Sequence, residues 1–173
     1  VIEDLVILGA GMGKTIVDAN GVHRAFEIFP DTQVVIQDLS IVNGSRTQNG
    51  GGIKNGGDLI LDGVEVSNNA VGNGIDQSCY LGDGGGILNF FDANLELIDS
   101  YVHHNSGFGL MSKGSFNMVR TTVSHNKYGL GTSNWAPKDE VSIPEVAISN
   151  STVAYNEKEG ILNNAIGSTM VID

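Results

Sequence analysis

His104 and His125 stand at the same place in consecutive near-copies of one short unit, with Tyr155 next in that column and Asn68 before it. A column of this kind has two readings. It is a packing ladder of stacked imidazole and phenol rings along a sheet, or it is a proton-transfer or sugar-stacking face, helped by the neighbouring His103 and Lys127. Zinc would want a third ligand at fixed geometry, and no Cys or second acidic column accompanies the two histidines, which argues against metal there. Arg120 aligns with Asp99 one unit earlier and with Asn150 one unit later, so an ion pair between units is expected, with Glu96 close by in sequence. Trp135, the only tryptophan, lies in a loop bounded by Gly and Pro, where its ring can stack on a sugar or a protein partner, or fold down as a cover. Asp76 and Asp83 flank a second loop, and their spacing is too loose for a recognised calcium motif. A glycosidase arrangement of two carboxylates is also missing, since no unit repeats a pair of acidic residues.

Residues 9–15, GAGMGKT, imitate a phosphate-cradling loop but fail as one. The pattern GxxxxGK[ST] ending at Thr15 demands Gly at position 8, where Leu8 stands, and the β-branched run TIVDANG replaces the helix that should follow. Nine Lys and Arg against 20 Asp and Glu give a formal charge of −11. So acidic a chain repels phosphate backbones and anionic lipid, which makes nucleic acid and membrane surfaces poor partners and cations such as Ca²⁺ better ones. No apolar run approaches the roughly 20 residues of a membrane-spanning helix, and no signal segment is present. Cys79 is single and cannot close an internal disulfide.

What must hold these residues is a repeat. Residues 95–115 read LELIDSYVHHNSGFGLMSKGS, residues 116–130 read FNMVRTTVSHNKYGL, and residues 146–162 read VAISNSTVAYNEKEGIL. Residues 34–44 and 59–69 are earlier copies. In register they place Val66, Val102, Val123 and Val153 in one column and Asn69, Asn105, Asn126 and Asn156 in another. Self-similarity at a period near twenty residues marks units that stack because none can bury its apolar face alone. From Gln33 onward each unit alternates with period two and is rich in Val, Thr and Ser, which predicts three brief strands separated by bends. Such strands stack on the next copy of themselves as parallel sheets, adding ~4.8 Å per coil, so about six coils would make a stub of roughly 30 Å. The Val column is expected to point inward. The Asn column is expected at a bend, in left-handed backbone angles that Asn tolerates, with amides bonded along the stack. Gly107, Gly109, Gly129 and Gly160 let the following strand begin in a tight space.

The steps GGGIKNGGDLILDGVEVSNN from Gly50 and GGGILNFFDANLELIDSYVHHN from Gly84 resemble the right-handed parallel β-helix proteins of pectate-lyase-like type. Gly85-Gly86-Ile87 followed by Phe91-Asp92-Ala93-Asn94 matches once the GG[AI] and FxxN pair of polymorphic outer-membrane-protein repeats. The fold-level resemblance covers nearly the whole chain and the narrow signature roughly fifteen residues. It implies a secreted or surface-displayed protein with an all-β, right-handed parallel β-helix solenoid; by length residues 1–173 are expected to be one domain, and from the start at Val1 a piece of a longer protein. The family is used in passengers, adhesins and polysaccharide-acting enzymes and the resemblance does not choose among them; the use expected here is an adhesion or display module with a polysaccharide or cell-surface ligand. Polysaccharide lyases of this fold use an Arg or Lys base beside acidic residues that hold Ca²⁺, and Arg120 with Asp99 and Glu96 is the nearest imitation. The expected reading is non-enzymatic, with the lyase as its alternative. Residues 169–173, TMVID, read as the first strand of an unfinished coil, from which end-to-end self-association through Met170 and Ile172 is expected.

Overall fold

The computed structural model of the protein describes residues 1–47, 50–71, 84–133, 144–165 and 169–173. Among these residues the fold is all-β, with no helix, and every pairing between strands is parallel. The chain visits three sheets in turn. The first holds Leu5–Leu8, Gln33–Gln37, Asp58–Asp62, Asn94–Ile98, Ser115–Val119, Val146–Ser149 and Met170–Ile172, neighbours in that order. The second holds Ile16–Asp18, Ser40–Val42, Glu65–Ser67, Tyr101–His103, Thr122–Ser124 and Thr152–Ala154. The third holds Phe26–Ile28, Ile53–Asn55, Gly84–Asn89, Phe108–Ser112, Tyr128–Ser133 and Ile161–Asn164. A short extra pair, Ser45–Arg46 with Ala70–Val71, lies between the second and third sheets in chain order.

Spatial order follows sequence order in each sheet, so equivalent residues of successive repeats become direct neighbours. Leu59, Leu95, Phe116 and Val146 form one column of the first sheet, and Leu61, Leu97, Met118 and Ile148 form another. Val66, Val102, Val123 and Val153 stack in the second sheet as expected, the first three wholly buried and Val153 packed against the same core. Ile53, Ile87, Leu110 and Leu130 close the core from the third sheet. Alternation with period two sends these apolar residues inward and their neighbours outward, and stacking lets each layer bury the one before it.

The Asn column is bonded as a ladder, with Asn69, Asn105 and Asn126 buried and Asn156 half-buried. Asn69 donates from Nδ2 to Asn105 Oδ1 at 3.1 Å, Asn105 to Asn126 at 2.9 Å, and Asn126 to Asn156 at 3.2 Å. The same amides donate to the carbonyls of Ile41, Val66 and Val102, so each side chain ties two repeats together. The expected left-handed backbone falls elsewhere. Positive φ belongs to the residue before each Asn, namely Asn68, His104, His125 and Tyr155 at 57°, 52°, 54° and 54°. The turn is made one position early, and each Asn is retained for its amide. A second left-handed corner, between the first and second sheets, runs through Asp99, Arg120 and Asn150. The Asn ladder also explains two of the glycines, since a Cβ at Gly109 would lie 2.5 Å from the Asn126 amide nitrogen and one at Gly129 2.7 Å from that of Asn156.

Residues 1–28 form a repeat of their own, which the alternation starting at Gln33 does not announce. Leu5 pairs with Val34 and Val17 with Ile41, but seven residues, 9–15, interrupt the run between the two strands. These residues turn through hydrogen bonds from Lys14 and Thr15 to the Gly11 carbonyl and lead into strand Ile16–Asp18, which agrees with rejecting a phosphate loop. The outermost strands of the first sheet expose Val6, Leu8, Val171 and Ile172, each more than half accessible.

Candidate functional site

The second sheet ends each repeat at a corner where one residue takes left-handed angles and the next turns inward as the buried Asn. Left-handed backbone costs an L-residue with a Cβ roughly 1–2 kcal/mol, and among residues with a side chain Asn, Asp and His adopt it most often. Here two histidines and a tyrosine occupy it, all exposed, Tyr155 to 82%. Tyr155 is the outlier among them, and a bulky residue held at such angles on an exposed corner is the kind of departure from local preference that clusters at functional sites. Because the strands beneath are in register, the rings are too. His104 and His125 lie 5.2 Å apart with planes within 4° of parallel, and His125 and Tyr155 lie 5.6 Å apart at 25°. The spacing is close to the ~4.8 Å between adjacent strands that carries it.

Beneath the ladder lies a polar network. His103 is half-buried, with its Nε2 2.9 Å from Glu65 Oε1 and its Nδ1 2.7 Å from His104 Nδ1. Tyr101 lies against the His103 ring at 4.0 Å between centres. The Ser40 and Ser67 hydroxyls also donate to Glu65. Burial pushes the Glu65 carboxyl up, but the hydrogen bonds from Ser40, Ser67 and His103 together outweigh it and hold the group below the ordinary glutamate range. For His103 burial wins, and its pKa lies below the ordinary value even though Glu65 favours the cation. In the next repeat Ser124 donates to the Tyr101 hydroxyl at 3.2 Å, and His125 Nδ1 lies 3.0 Å from Ser124 Oγ.

The structure brings His103, His104, His125 and Tyr155 together. Lys127 places its ammonium over the Tyr128 ring, 5.8 Å from its centre. Arg120 meets Asp99 as expected, through two hydrogen bonds of 2.7 Å from Nε and Nη2, both groups exposed. The contact raises the guanidinium pKa and lowers that of the carboxyl. Glu96 accepts a hydrogen bond from Asn117, at 3.4 Å, on the outer face of the first sheet. Trp135, Asp76 and Asp83 lie outside the described residues, as does Cys79. Among the described residues no group of three or more His, Cys, Asp and Glu side chains could hold a metal ion.

Glu65, Tyr101 and Ser124 escaped the sequence reading. Their signal is present, since residues 65, 67, 101, 103, 122 and 124 alternate with the inward Val column and so share the outer face of one sheet. What the alternation does not carry is reach. His103 pairs in register with Ser67, yet its side chain crosses diagonally to Glu65.

No family model matches the chain, and comparison with curated proteins and with solved structures finds no match.

Proposed function

We propose that the three sheets are the walls of a right-handed parallel β-helix, belonging to a secreted or surface-displayed protein, and that this chain serves as an adhesion or display module contacting carbohydrate without transforming it. Cyclic visits to three parallel sheets support the coil, and the handedness follows from the strong preference of parallel crossovers for right-handed connections. The observation that carries the ligand reading is the exposed ladder of His104, His125 and Tyr155. The rings stack on one another one strand spacing apart, so the row presents their polar edges outward and, at its end, the exposed ring of Tyr155 offers an apolar face on which a sugar ring can stack.

The alternative reading is a polysaccharide lyase, with Arg120 as base and Asp99 and Glu96 holding Ca²⁺. Against it stands the bidentate pairing of Arg120 with Asp99 through Nε and Nη2, which raises the pKa of the very group that would have to accept a proton. The test is a set of oligosaccharides titrated against the protein, with Tyr155→Ala and His125→Ala as variants. Binding that weakens about tenfold in each variant supports the ladder, in line with the worth of one stacked ring. Binding that neither variant changes defeats it. The same mixtures on acidic polysaccharide, with and without calcium, are expected to develop no absorbance from unsaturated uronate; absorbance that Arg120→Ala abolishes would install the lyase instead.

A further inference from the structure

Glu65, His103 and His104 form an unbroken hydrogen-bonded chain from the half-buried outer face of the second sheet to solvent. Each of its two links holds one proton. Glu65 already accepts from Ser40 and Ser67 and is ionised at neutral pH, and an ionised carboxylate has no proton to give. His103 Nε2 therefore donates to Glu65. Burial opposes a second proton on His103, so its Nδ1 carries a lone pair. The proton between the two rings then has to come from His104 Nδ1. With that nitrogen protonated and directed inward, this tautomer of His104 leaves its lone pair on Nε2, on an exposed side chain.

His125 follows the same pattern through a different partner. Ser124 gives its proton to the Tyr101 hydroxyl, so its oxygen accepts from His125 Nδ1 and the second Nε2 is also an acceptor. Two outward acceptors thus stand one strand spacing apart, beside the open ring of Tyr155.

From this chain of donors and acceptors we propose that Glu65 and His103 are positioning residues that hold His104 as a hydrogen-bond acceptor toward solvent, so that the ladder takes a neutral, hydroxyl-rich saccharide in preference to a carboxylated or sulfated one. Sugar hydroxyls can donate to these nitrogens, whereas a carboxylate or sulfate brings only acceptors. A net charge of −11 disfavours the anionic ligand further. A bare imidazole nitrogen is also a metal ligand, but the two rings stack in parallel instead of converging on a point. The inference rests on the carbohydrate reading of the ladder, and its test separates the two.

Long-range ¹H–¹⁵N spectra of the ¹⁵N-labelled protein at neutral pH report the tautomers with no ligand and no substitution. His104 is expected as the Nδ1–H form and His103 as the Nε2–H form; His104 found as the Nε2–H form overturns the inference outright. In Glu65→Gln the amide can donate to His103 Nε2, which frees the chain to reverse, and the His104 signals should shift toward the other tautomer. Titration with a neutral β-linked glucose hexasaccharide and with hexagalacturonate then tests the preference. The neutral ligand should bind about tenfold tighter and lose severalfold in Glu65→Gln, the scale of one misdirected hydrogen bond, while Tyr155→Ala weakens whatever binds. Equal or tighter binding of hexagalacturonate, still sensitive to Tyr155→Ala, overturns the inference and leaves the ladder reading standing. Binding of neither sugar removes both, as does retention that appears only when zinc is added.

Discussion

Tyr155 combines a left-handed backbone with a side chain 82% exposed, so its ring contributes little burial against the strain it sits in. Asn tolerates these angles through its short polar side chain, and a β-branched residue tolerates them worst. Tyr155→Asn should leave the urea midpoint level or raise it, while Tyr155→Val should destabilise by roughly 1–2 kcal/mol. Equal effects of the two substitutions would mean that this corner is not left-handed in solution. The buried Asn beside it has the opposite logic. Asn126 accepts from the backbone and amide of Asn105 and donates to Asn156 and to the Val102 carbonyl, so its value lies in four hydrogen bonds to three residues and not in its backbone angles.

A strand of three residues such as Thr122–Ser124 has no stability of its own. It persists because Val123 is wholly buried between Val102 on one side and Val153 on the other. Cutting Val123 to Ala leaves a void between packed layers and should cost about 1 to 3 kcal/mol in denaturant unfolding. Thr122→Ala, on the outer face of the same strand, should move the midpoint by no more than about 0.5 kcal/mol. Similar losses at both positions would place the wrong face inward. The element scale also explains why the ladder is straight. Corner residues inherit the spacing and register of strands that are themselves fixed by the core columns.

For the whole molecule, acid is the informative stress. Glu65, Glu27 and His103 all have pKa values below their ordinary ones in the folded chain. Such groups bind protons more readily when unfolded, so stability is fully present above the unfolded pKa and is lost as pH falls through the folded one. The loss should begin below about 6.5, the ordinary histidine value, and deepen below 4.5, the ordinary glutamate value. Urea midpoints measured from pH 7 to pH 3 should therefore fall, and Glu65→Gln should flatten the lower part of that fall. A variant curve parallel to the parent's would mean that Glu65 is not held ionised by the fold.

The amino-acid sequence already carries the columns. Period-two alternation within a unit, and recurrence of Val66, Val102, Val123 and Val153 between units, leave one way to bury the apolar face, which is parallel stacking in register. It also placed His104, His125 and Tyr155 in one row and paired Arg120 with Asp99, because equivalent positions of stacked repeats must be neighbours. The first repeat stayed hidden, since residues 9–15 break the spacing on which recognition by recurrence depends. Tertiary packing set the left-handed turn at His104 and not at Asn105, because a corner angle is fixed by how two sheets meet. It alone decided that His103 reaches Glu65 and so fixes the protons of His104. That contact runs diagonally between repeats, through side-chain length and burial, and neither quantity is written in the spacing of residues along the chain.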